Sequence, residues 1–209
     1  MVADFAEDVP SRIDLRTSKD AQEWAASAML ARPWRAHFFQ QFVGEVGLLG
    51  QRDLRILELG SGPGFLAQRI LATVPDIHYT MLDFSPAMHD LARERLGPLM
   101  QHVRPVVADF KGAGWSEGLG TFDAVLTNQA VHELRHKRHA LRLHRSVRPL
   151  LTSHGRYLVC DHYVGADGMM NEALYMTVAE QQRCLEEAGF SVTMLRKLRG
   201  LVLHRGIAG

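Results

Sequence analysis

The chain has 209 residues, of which 46% are hydrophobic and 22% are charged. This length is enough for one domain with a sizeable core, and the composition excludes a disordered, collagenous or coiled-coil chain. Lysine and arginine number 24 and aspartate and glutamate 23, so the formal net charge is +1. A charge so close to neutral argues against a nucleic acid or an anionic membrane as the main partner.

The N-terminus and the cysteines indicate the compartment. Residues 1–8 are acidic and lack the basic and apolar regions of a signal peptide. No apolar run approaches the ~18 residues that span a bilayer. The two cysteines, Cys160 and Cys184, supply neither a disulfide framework nor a cysteine-based zinc site, so we expect buried free thiols. These features predict a cytoplasmic protein.

The predicted elements change character after residue 51. Before it, apolar residues recur at helical spacing, with Pro33 at the start of the second of two helices. After it, predicted strands (54–59, 78–82, 103–108, 122–126, 155–160, 191–198 and 201–205) alternate with predicted helices (65–72, 86–96, 133–151 and 177–188). The crossover at 111–121 shows little helical pattern. We therefore predict an N-terminal helical cap, residues 1–50, and a core, residues 51–209.

The alternation of strands and helices predicts an α/β fold with a mostly parallel sheet. Such sheets bind ligands beyond the carboxyl ends of their strands. The first strand runs into the glycine-rich loop Glu58-Leu59-Gly60-Ser61-Gly62-Pro63-Gly64. Its third glycine comes one residue earlier than in the dinucleotide fingerprint G-x-G-x-x-G, which weighs against a nicotinamide oxidoreductase. The loop suits a ligand without a pyrophosphate, and Glu58 can pair with an ammonium group.

Acidic residues also end the next two strands. Asp83 follows the second strand, where a carboxylate can accept two hydrogen bonds from a ribose diol. Asp109 follows the third strand, where a carboxylate can accept from an adenine amino group. Together with Glu58 at the end of the first strand, these acids predict a site for one cationic ligand that contains adenosine.

With these motifs the sequence resembles the class I S-adenosylmethionine-dependent methyltransferases, from about Asp53 to the C-terminus. Ile56–Gly64 resembles their first motif, Leu82–Met88 their second, Ala108–Phe110 the position that binds the adenine amine, and Phe122–Asn128 the fourth-strand motif. The resemblance implies a Rossmann-like, doubly wound sheet of seven strands whose last strand is antiparallel. It also implies S-adenosylmethionine as the cofactor.

The resemblance assigns the cofactor site to the glycine loop and the strand ends. Phe84 is expected to pack on the adenine, and Asn128 and Gln129 are expected to line the methyl end. The complete implied set is Glu58, Gly60, Ser61, Gly62, Gly64, Asp83, Phe84, Ser85, Met88, Asp109, Phe110, Asn128 and Gln129.

The expected reaction is an in-line displacement at the sulfonium methyl carbon, in which positioning supplies much of the rate. A neutral oxygen or nitrogen acceptor must also lose a proton, which calls for a general base. His132 and His162 follow the fourth and fifth strands and are the candidate catalytic residues. Many small-molecule members of the family carry a histidine at the position of His132, usually in a His-His pair, but here Glu133 replaces the second histidine.

One motif supports a different chemistry. His132-Glu133-Leu134-Arg135-His136 matches H-E-x-x-H, which on one continuous helix brings two imidazoles to a zinc ion with the glutamate as base. The longer extension of that motif is missing. The alternative reading of this basic segment is a solvated helix face, and we predict no metal site.

The sequence after the fourth strand also bears on the substrate. Thr127-Asn128-Gln129-Ala130 lacks the prolines and the aromatic ring of enzymes that methylate nucleic-acid bases, so we expect a small organic acceptor. The residues expected to shape its pocket are Trp24, Trp34, Arg35, His37, Phe38, Tyr163, Met169, Met170 and Tyr175. The inserts are short, so the pocket is either open or completed by a second subunit of a homodimer. A non-catalytic, cofactor-binding accessory protein is the alternative function.

Overall fold

The structure, a computed structural model, describes residues 7–50 and 53–208. Its strands are β1 (Leu54–Leu59), β2 (Ile77–Asp83), β3 (Val103–Val107), β4 (Phe122–Asn128), β5 (Leu151–His162), β6 (Phe190–Leu198) and β7 (Leu201–Ala208). They form one seven-stranded sheet in the order β3-β2-β1-β4-β5-β7-β6. Strand β7 runs antiparallel to both of its neighbours, β5 and β6, whereas the other four strand pairings are parallel. The predicted doubly wound sheet with an antiparallel last strand is confirmed.

Helices connect and cover these strands. They are α1 (Ser18–Ala31), α2 (Arg35–Gly47), α3 (Phe65–Leu71), α4 (Pro86–Leu96), α5 (Ala140–Val147) and α6 (Val178–Glu187). Short 3-10 helices lie at Gly97–His102, Val131–Leu134, Lys137–His139 and Arg148–Leu150. Polar side chains cap three of the helices: Thr17 caps α1, Ser85 caps α4, and Thr177 forms a capping box with Glu180 at α6.

The sheet is buried on both faces. Neighbouring β1 residues Ile56 and Leu57 belong to different hydrophobic clusters because successive side chains point to opposite faces of a strand. The phenylalanines of α2 pack with α3 and α4 against one face, and α5 and α6 cover the other. The predicted division into a cap and a core falls beside residues 51 and 52, which lie outside the described residues, and it stays a prediction.

Two sequence expectations need correction. The long helix predicted at 133–151 is interrupted at Arg135, whose φ of 67° is left-handed, and only Ala140–Val147 of that range is α-helical. Strand β5, predicted at 155–160, is longer and spans Leu151–His162.

No helix interrupts the turns at 111–121, as the sequence pattern indicated. Both cysteines are free thiols, but only Cys160 is buried as expected, whereas Cys184 is half-buried. Among the described residues, no helix has both the length and the apolar character needed to cross a bilayer. The absence of a leader was predicted from residues 1–8, of which 1–6 lie outside the described residues.

Candidate cofactor and acceptor site

A cavity of about 260 Å³ lies where the carboxyl ends of β1, β2, β4 and β5 meet. The fold brings most of the predicted cofactor residues to its wall: Glu58, Gly60, Ser61, Gly62, Asp83, Phe84, Met88, Phe110, Asn128 and Gln129. Both candidate catalytic residues, His132 and His162, line the same cavity. This convergence follows from parallel strands, whose carboxyl ends share one edge of the sheet.

Three predicted cofactor residues lie outside the cavity wall. Gly64 is the N-cap residue of α3 and has a φ of 78°. The Ser85 hydroxyl accepts from the backbone N–H of Met88 and donates to the carbonyl of Leu15. The Asp109 carboxylate accepts from the backbone N–H of Lys111 at 2.9 Å. The role predicted for Asp109, binding of the adenine amine, stays a prediction.

The glycine loop is held close to the cavity by its backbone conformation. Gly60 and Gly62 have φ angles of 66° and 52°, a region that side chains disfavour. A Cβ atom added to Gly60 would lie 2.4 Å from the Cβ of Ala130, so a glycine is required there. The N–H of Gly62 donates to Asp83 Oδ2 at 2.8 Å, which ties the loop to the end of β2. The tight loop leaves room for a ligand beside its backbone.

Two buried carboxyl groups face this loop. Burial raises the pKa of Asp83, although the backbone N–H groups of Ser85 and Gly62 donate to it and favour its ionised form. Burial raises the pKa of Glu58 to about 8, and the negative charge of Asp83 adds to that effect. The Tyr79 hydroxyl donates to Glu58 Oε2 at 2.8 Å. This hydrogen bond lowers the pKa of Glu58 and offsets part of the effect of burial. Both carboxyl groups would be stabilised as anions by a cationic, hydroxyl-bearing ligand.

Polar atoms on the cavity wall are also left without partners among the described residues. The hydroxyl of Ser61 and the side-chain oxygen of Asn128 are buried and form no hydrogen bond there. Buried polar atoms are normally satisfied, so such atoms indicate a ligand or water. Together with the buried carboxyl groups, they fit the ammonium and hydroxyl groups of S-adenosylmethionine.

A histidine–aspartate pair lies at the other end of the site. Asp161 Oδ1 lies 2.7 Å from His132 Nδ1, and Asp161 Oδ2 accepts from the backbone N–H of His132 at 2.8 Å. Burial lowers the pKa of His132, but the carboxylates of Asp161 and Glu133 outweigh burial and raise that pKa well above its usual value. His132 therefore carries a proton at neutral pH and is held in a fixed orientation.

His162 has the opposite electrostatic character. Burial lowers its pKa to about 4, and the charges of His132, Arg32 and Arg35 oppose its protonation. The rings of His132 and His162 meet edge-on with centroids 5.3 Å apart, and the Tyr175 ring lies 5.5 Å from the first and 5.8 Å from the second. The cavity wall thus presents one charged and one neutral imidazole beside an aromatic ring.

The geometry does not support the zinc arrangement of His132-Glu133-Leu134-Arg135-His136. The left-handed residue Arg135 separates His132 from His136, so the two rings do not share one helix face. His136 Nδ1 instead accepts from the backbone N–H of Arg138 at 3.1 Å. Within the described part of the chain, no three histidine, cysteine, aspartate or glutamate side chains are placed to hold a metal ion.

The predicted substrate residues divide into two groups. Trp24, Arg35 and Tyr175 line the cavity. Trp34, His37, Phe38, Tyr163, Met169 and Met170 do not. The periodicity of α2 explains part of this, since Arg35 and Phe39 share the face towards the cavity whereas His37 points outward. The Tyr163 hydroxyl donates to Asp167 Oδ2 at 2.6 Å instead.

Sequence reasoning missed residues that reach the cavity from distant segments. Leu15, Arg32 and Phe39 line it. Leu15 belongs to an N-terminal segment held in place by Arg135, whose Nε donates to the carbonyl of Val9 at 2.8 Å. No local motif marks such contacts, because they depend on how the N-terminal segment packs against the sheet.

Comparison with known proteins finds matches to part of the sequence and to the fold. Residues 57–157 match the family model described as a methyltransferase domain. In sequence, the chain is 24% identical over 194 residues to the highly reducing polyketide synthase easB of Emericella nidulans, covering 81% of this chain and 7% of that protein. The chain spans between 4% and 41% of the lengths of the curated relatives it matches.

Solved structures share the fold. An O-methyltransferase family protein from Burkholderia thailandensis has a TM-score of 0.75 at 18% identity, covering 91% of this chain and 60% of that one. The DhpI–SAH complex has a TM-score of 0.71 at 18% identity, covering 92% of this chain and 93% of that one. The match of residues 57–157 to a methyltransferase domain agrees with the motifs and the strand order, and the chain shares its Rossmann-like fold with these solved structures.

Proposed function

We propose that the chain is an S-adenosylmethionine-dependent methyltransferase that acts on a small organic molecule. The observation that carries this proposal is the convergence of Glu58, Asp83 and the glycine loop on one cavity with a polar acceptor end. The methyltransferase domain match and the resemblance to the DhpI–SAH complex support the same cofactor. When bound, the cofactor supplies an electrophilic methyl group.

The cofactor end of the cavity would be held by the carboxyl groups and the loop. Asp83 is placed to accept hydrogen bonds from the ribose hydroxyls, and Glu58 to accept from the ammonium group. Phe84 and Phe110 offer rings on which the adenine can pack. Asn128 and Gln129, at the end of β4, line the region between this end and the histidines.

The two histidines would have different roles, one as a hydrogen-bond donor to the acceptor and the other as the base that removes its proton. Asp161 fixes the His132 ring, and the Nε2–H of the protonated ring, which lies 3.3 Å from Glu133 Oε1, can be shared with an acceptor oxygen and orient it. His162 is neutral at pH 7 because burial lowers its pKa to about 4, so its free lone pair can take the proton that the acceptor loses. Tyr175 supports an acceptor against both rings.

Calorimetric titration tests the cofactor. After chelator treatment, the purified protein should bind S-adenosylmethionine and S-adenosylhomocysteine with micromolar affinity and should not bind NADH. An acceptor screen with a labelled methyl donor then tests turnover. Absence of binding to either sulfur nucleoside contradicts the proposal, whereas tight binding without transfer to any acceptor favours the accessory, non-catalytic function.

Partner, location and assembly belong to the same proposal. A near-neutral charge and the absence of a base-methylating motif after β4 favour a small organic acceptor over a nucleic acid. The free thiols favour a reducing compartment, the cytoplasm. We propose a homodimer as the assembly, which sedimentation equilibrium would test.

A further inference from the structure

Arg35 is a buried guanidinium group at the start of α2, on the cavity wall. It is 5% exposed. Its Nε and Nη2 donate to Gln129 Oε1 at 3.0 and 2.6 Å, and its Nη1 donates to the carbonyl of Ala28 at 2.9 Å. Both acceptors are neutral, and no carboxylate of the described residues lies within ion-pair distance of Arg35. The fold has therefore buried this positive charge without a negative partner.

A buried charge without an anionic partner is costly, even with the Trp24 ring 5.8 Å from Arg35 Cζ, so the environment of Arg35 needs an explanation. Burial and the neighbouring charge of Arg32 lower the pKa of Arg35 to about 10, which still leaves it charged at neutral pH. At another partly buried site of the fold, the arginines do pair with a carboxylate. Arg156 and Arg205 lie 2.9 and 3.3 Å from Glu45 Oε2. Arg35 differs in facing a cavity that can admit a ligand.

We propose that Arg35, together with Arg32 on the same wall, binds the carboxylate of a ligand in this cavity. This inference rests on the proposed function and adds a chemical requirement to it. Of the five guanidinium N–H groups, three are used, which leaves one on each terminal nitrogen. These two remaining N–H groups can donate to the oxygens of a carboxylate.

The place of Arg35 in the cavity allows two sources for the carboxylate. Gln129, which holds the guanidinium, follows β4 and lines the cavity together with the residues proposed for the cofactor and both histidines. Its backbone is fixed by an unusual φ of 58° and by a hydrogen bond to the carbonyl of Cys160 at 2.7 Å. The carboxylate is therefore either that of the amino-acid end of the cofactor or an acid group on the acceptor.

The first comparison uses ligands that differ only in the carboxylate. S-adenosylhomocysteine, its decarboxylated amine and 5′-methylthioadenosine are titrated into the unsubstituted protein and Arg35→Gln. If the cofactor supplies the carboxylate, the unsubstituted protein binds S-adenosylhomocysteine at least ten-fold more tightly than the amine. Arg35→Gln then removes this preference and leaves the affinity for 5′-methylthioadenosine unchanged.

The second comparison uses matched acids and amides on protein saturated with S-adenosylhomocysteine. Benzoate is compared with benzamide, and hexanoate with hexanamide. If the acceptor supplies the carboxylate, each acid binds at least ten-fold more tightly than its amide, and Arg35→Gln removes the difference. Arg35→Lys keeps the charge and should keep part of the preference, which separates a charge effect from a folding defect.

Arg93→Gln is the matched control, because Arg93 is half-exposed and pairs with Asp90 away from the cavity. It should leave both comparisons unchanged. The inference is wrong if, in both comparisons, the ligand with the carboxylate binds no more tightly than the ligand without it. It is also wrong if Arg35→Gln shows the same preferences as the unsubstituted protein. A protein that binds no S-adenosylhomocysteine contradicts the proposed function instead, and the acid–amide comparison on the unliganded protein then tests Arg35 separately.

Discussion

At the scale of single residues, Asp83 combines a structural and a binding role. Its two carboxylate oxygens already accept from Gly62 and Ser85, and the same group faces the cavity. Asp83→Asn keeps the size of the side chain but removes its charge. We expect the dissociation constant for S-adenosylhomocysteine to rise roughly ten- to a hundred-fold, because charged hydrogen bonds are lost.

Calorimetry on Asp83→Asn and on two controls measures this effect. Asp90→Asn changes an exposed carboxylate on α4 and should bind normally. His132→Ala should also retain cofactor affinity, since His132 lies at the acceptor end. Normal binding by Asp83→Asn would contradict the assignment of Asp83 to the ribose.

A second prediction concerns the protonation of Glu58. Its pKa, raised to about 8, leaves it largely protonated at pH 7 in the unliganded protein. A bound ammonium group favours the ionised form, so binding should release up to about one proton at pH 7, and affinity should rise with pH towards 8. Titrations in two buffers of different ionisation enthalpy measure the release. Glu58→Gln should abolish it, and identical heats in both buffers for the unsubstituted protein would refute the prediction.

These residues also show which parts of the site a sequence reveals. Glu58 and Asp83 were predictable because each ends a strand, and strand ends converge at one edge of a parallel sheet. The partnership of His132 with Asp161 joins the ends of two different strands, β4 and β5. Its distance depends on the turn after β4, which no local pattern specifies. Arg32 was missed for the same reason, since it follows α1, far from the motifs in sequence.

At the scale of elements, the glycine loop after β1 supports a quantitative comparison. Gly60→Ala places a methyl group 2.4 Å from the Cβ of Ala130. Gly62→Ala meets no atom within 4 Å and incurs only the strain of its left-handed backbone. We expect Gly62→Ala to lower the free energy of unfolding by about 1 kcal/mol, and Gly60→Ala by more than about 2 kcal/mol.

Urea denaturation of the two variants measures this difference directly. Gly44→Ala is a useful reference, because Gly44 lies within α2 and an added Cβ contacts nothing there. That variant should be neutral or slightly stabilising, since alanine favours a helix. Equal losses for Gly60→Ala and Gly62→Ala would mean that the loop can move away from Ala130.

The segment after β4 shows where element prediction fails. Apolar spacing and many basic residues predicted one helix over 133–151, but Arg135 adopts a left-handed φ of 67° and ends the first turn. In this conformation the guanidinium of Arg135 reaches the carbonyls of Val9 and Pro10. A tertiary contact with the N-terminal segment therefore overrides the local preference for helix. The spacing of apolar residues along the sequence cannot predict such a contact.

At the scale of the whole molecule, buried histidines predict sensitivity to acid. Burial lowers the pKa of His144, His162 and His204 to about 4. The unfolded chain titrates near 6.5, so between about pH 6.5 and 4 it binds more protons than the native state. Stability from these groups is complete above about pH 6.5 and is lost as the pH falls towards 4. His132 acts in the opposite direction, since its pKa is raised.

Urea midpoints at about pH 7.5 and about pH 5 measure this loss, and we expect a clear fall at the lower pH. His204→Leu is the informative variant, because both ring nitrogens of His204 are buried without a partner among the described residues. It should weaken the dependence on pH without lowering stability at pH 7.5. A midpoint that is independent of pH would contradict the burial of neutral imidazoles.

The place of β7 in the sheet also has a consequence for synthesis on the ribosome. β6 joins the sheet only through β7, which lies between it and β5. A nascent chain that has exposed every motif of the cofactor loop, and even β6, still has an unpaired edge at β5. The sheet can close only after residue 208 has left the exit tunnel. Folding of this domain is therefore completed after translation of its last strand, and until then β5 presents an edge that a chaperone can protect.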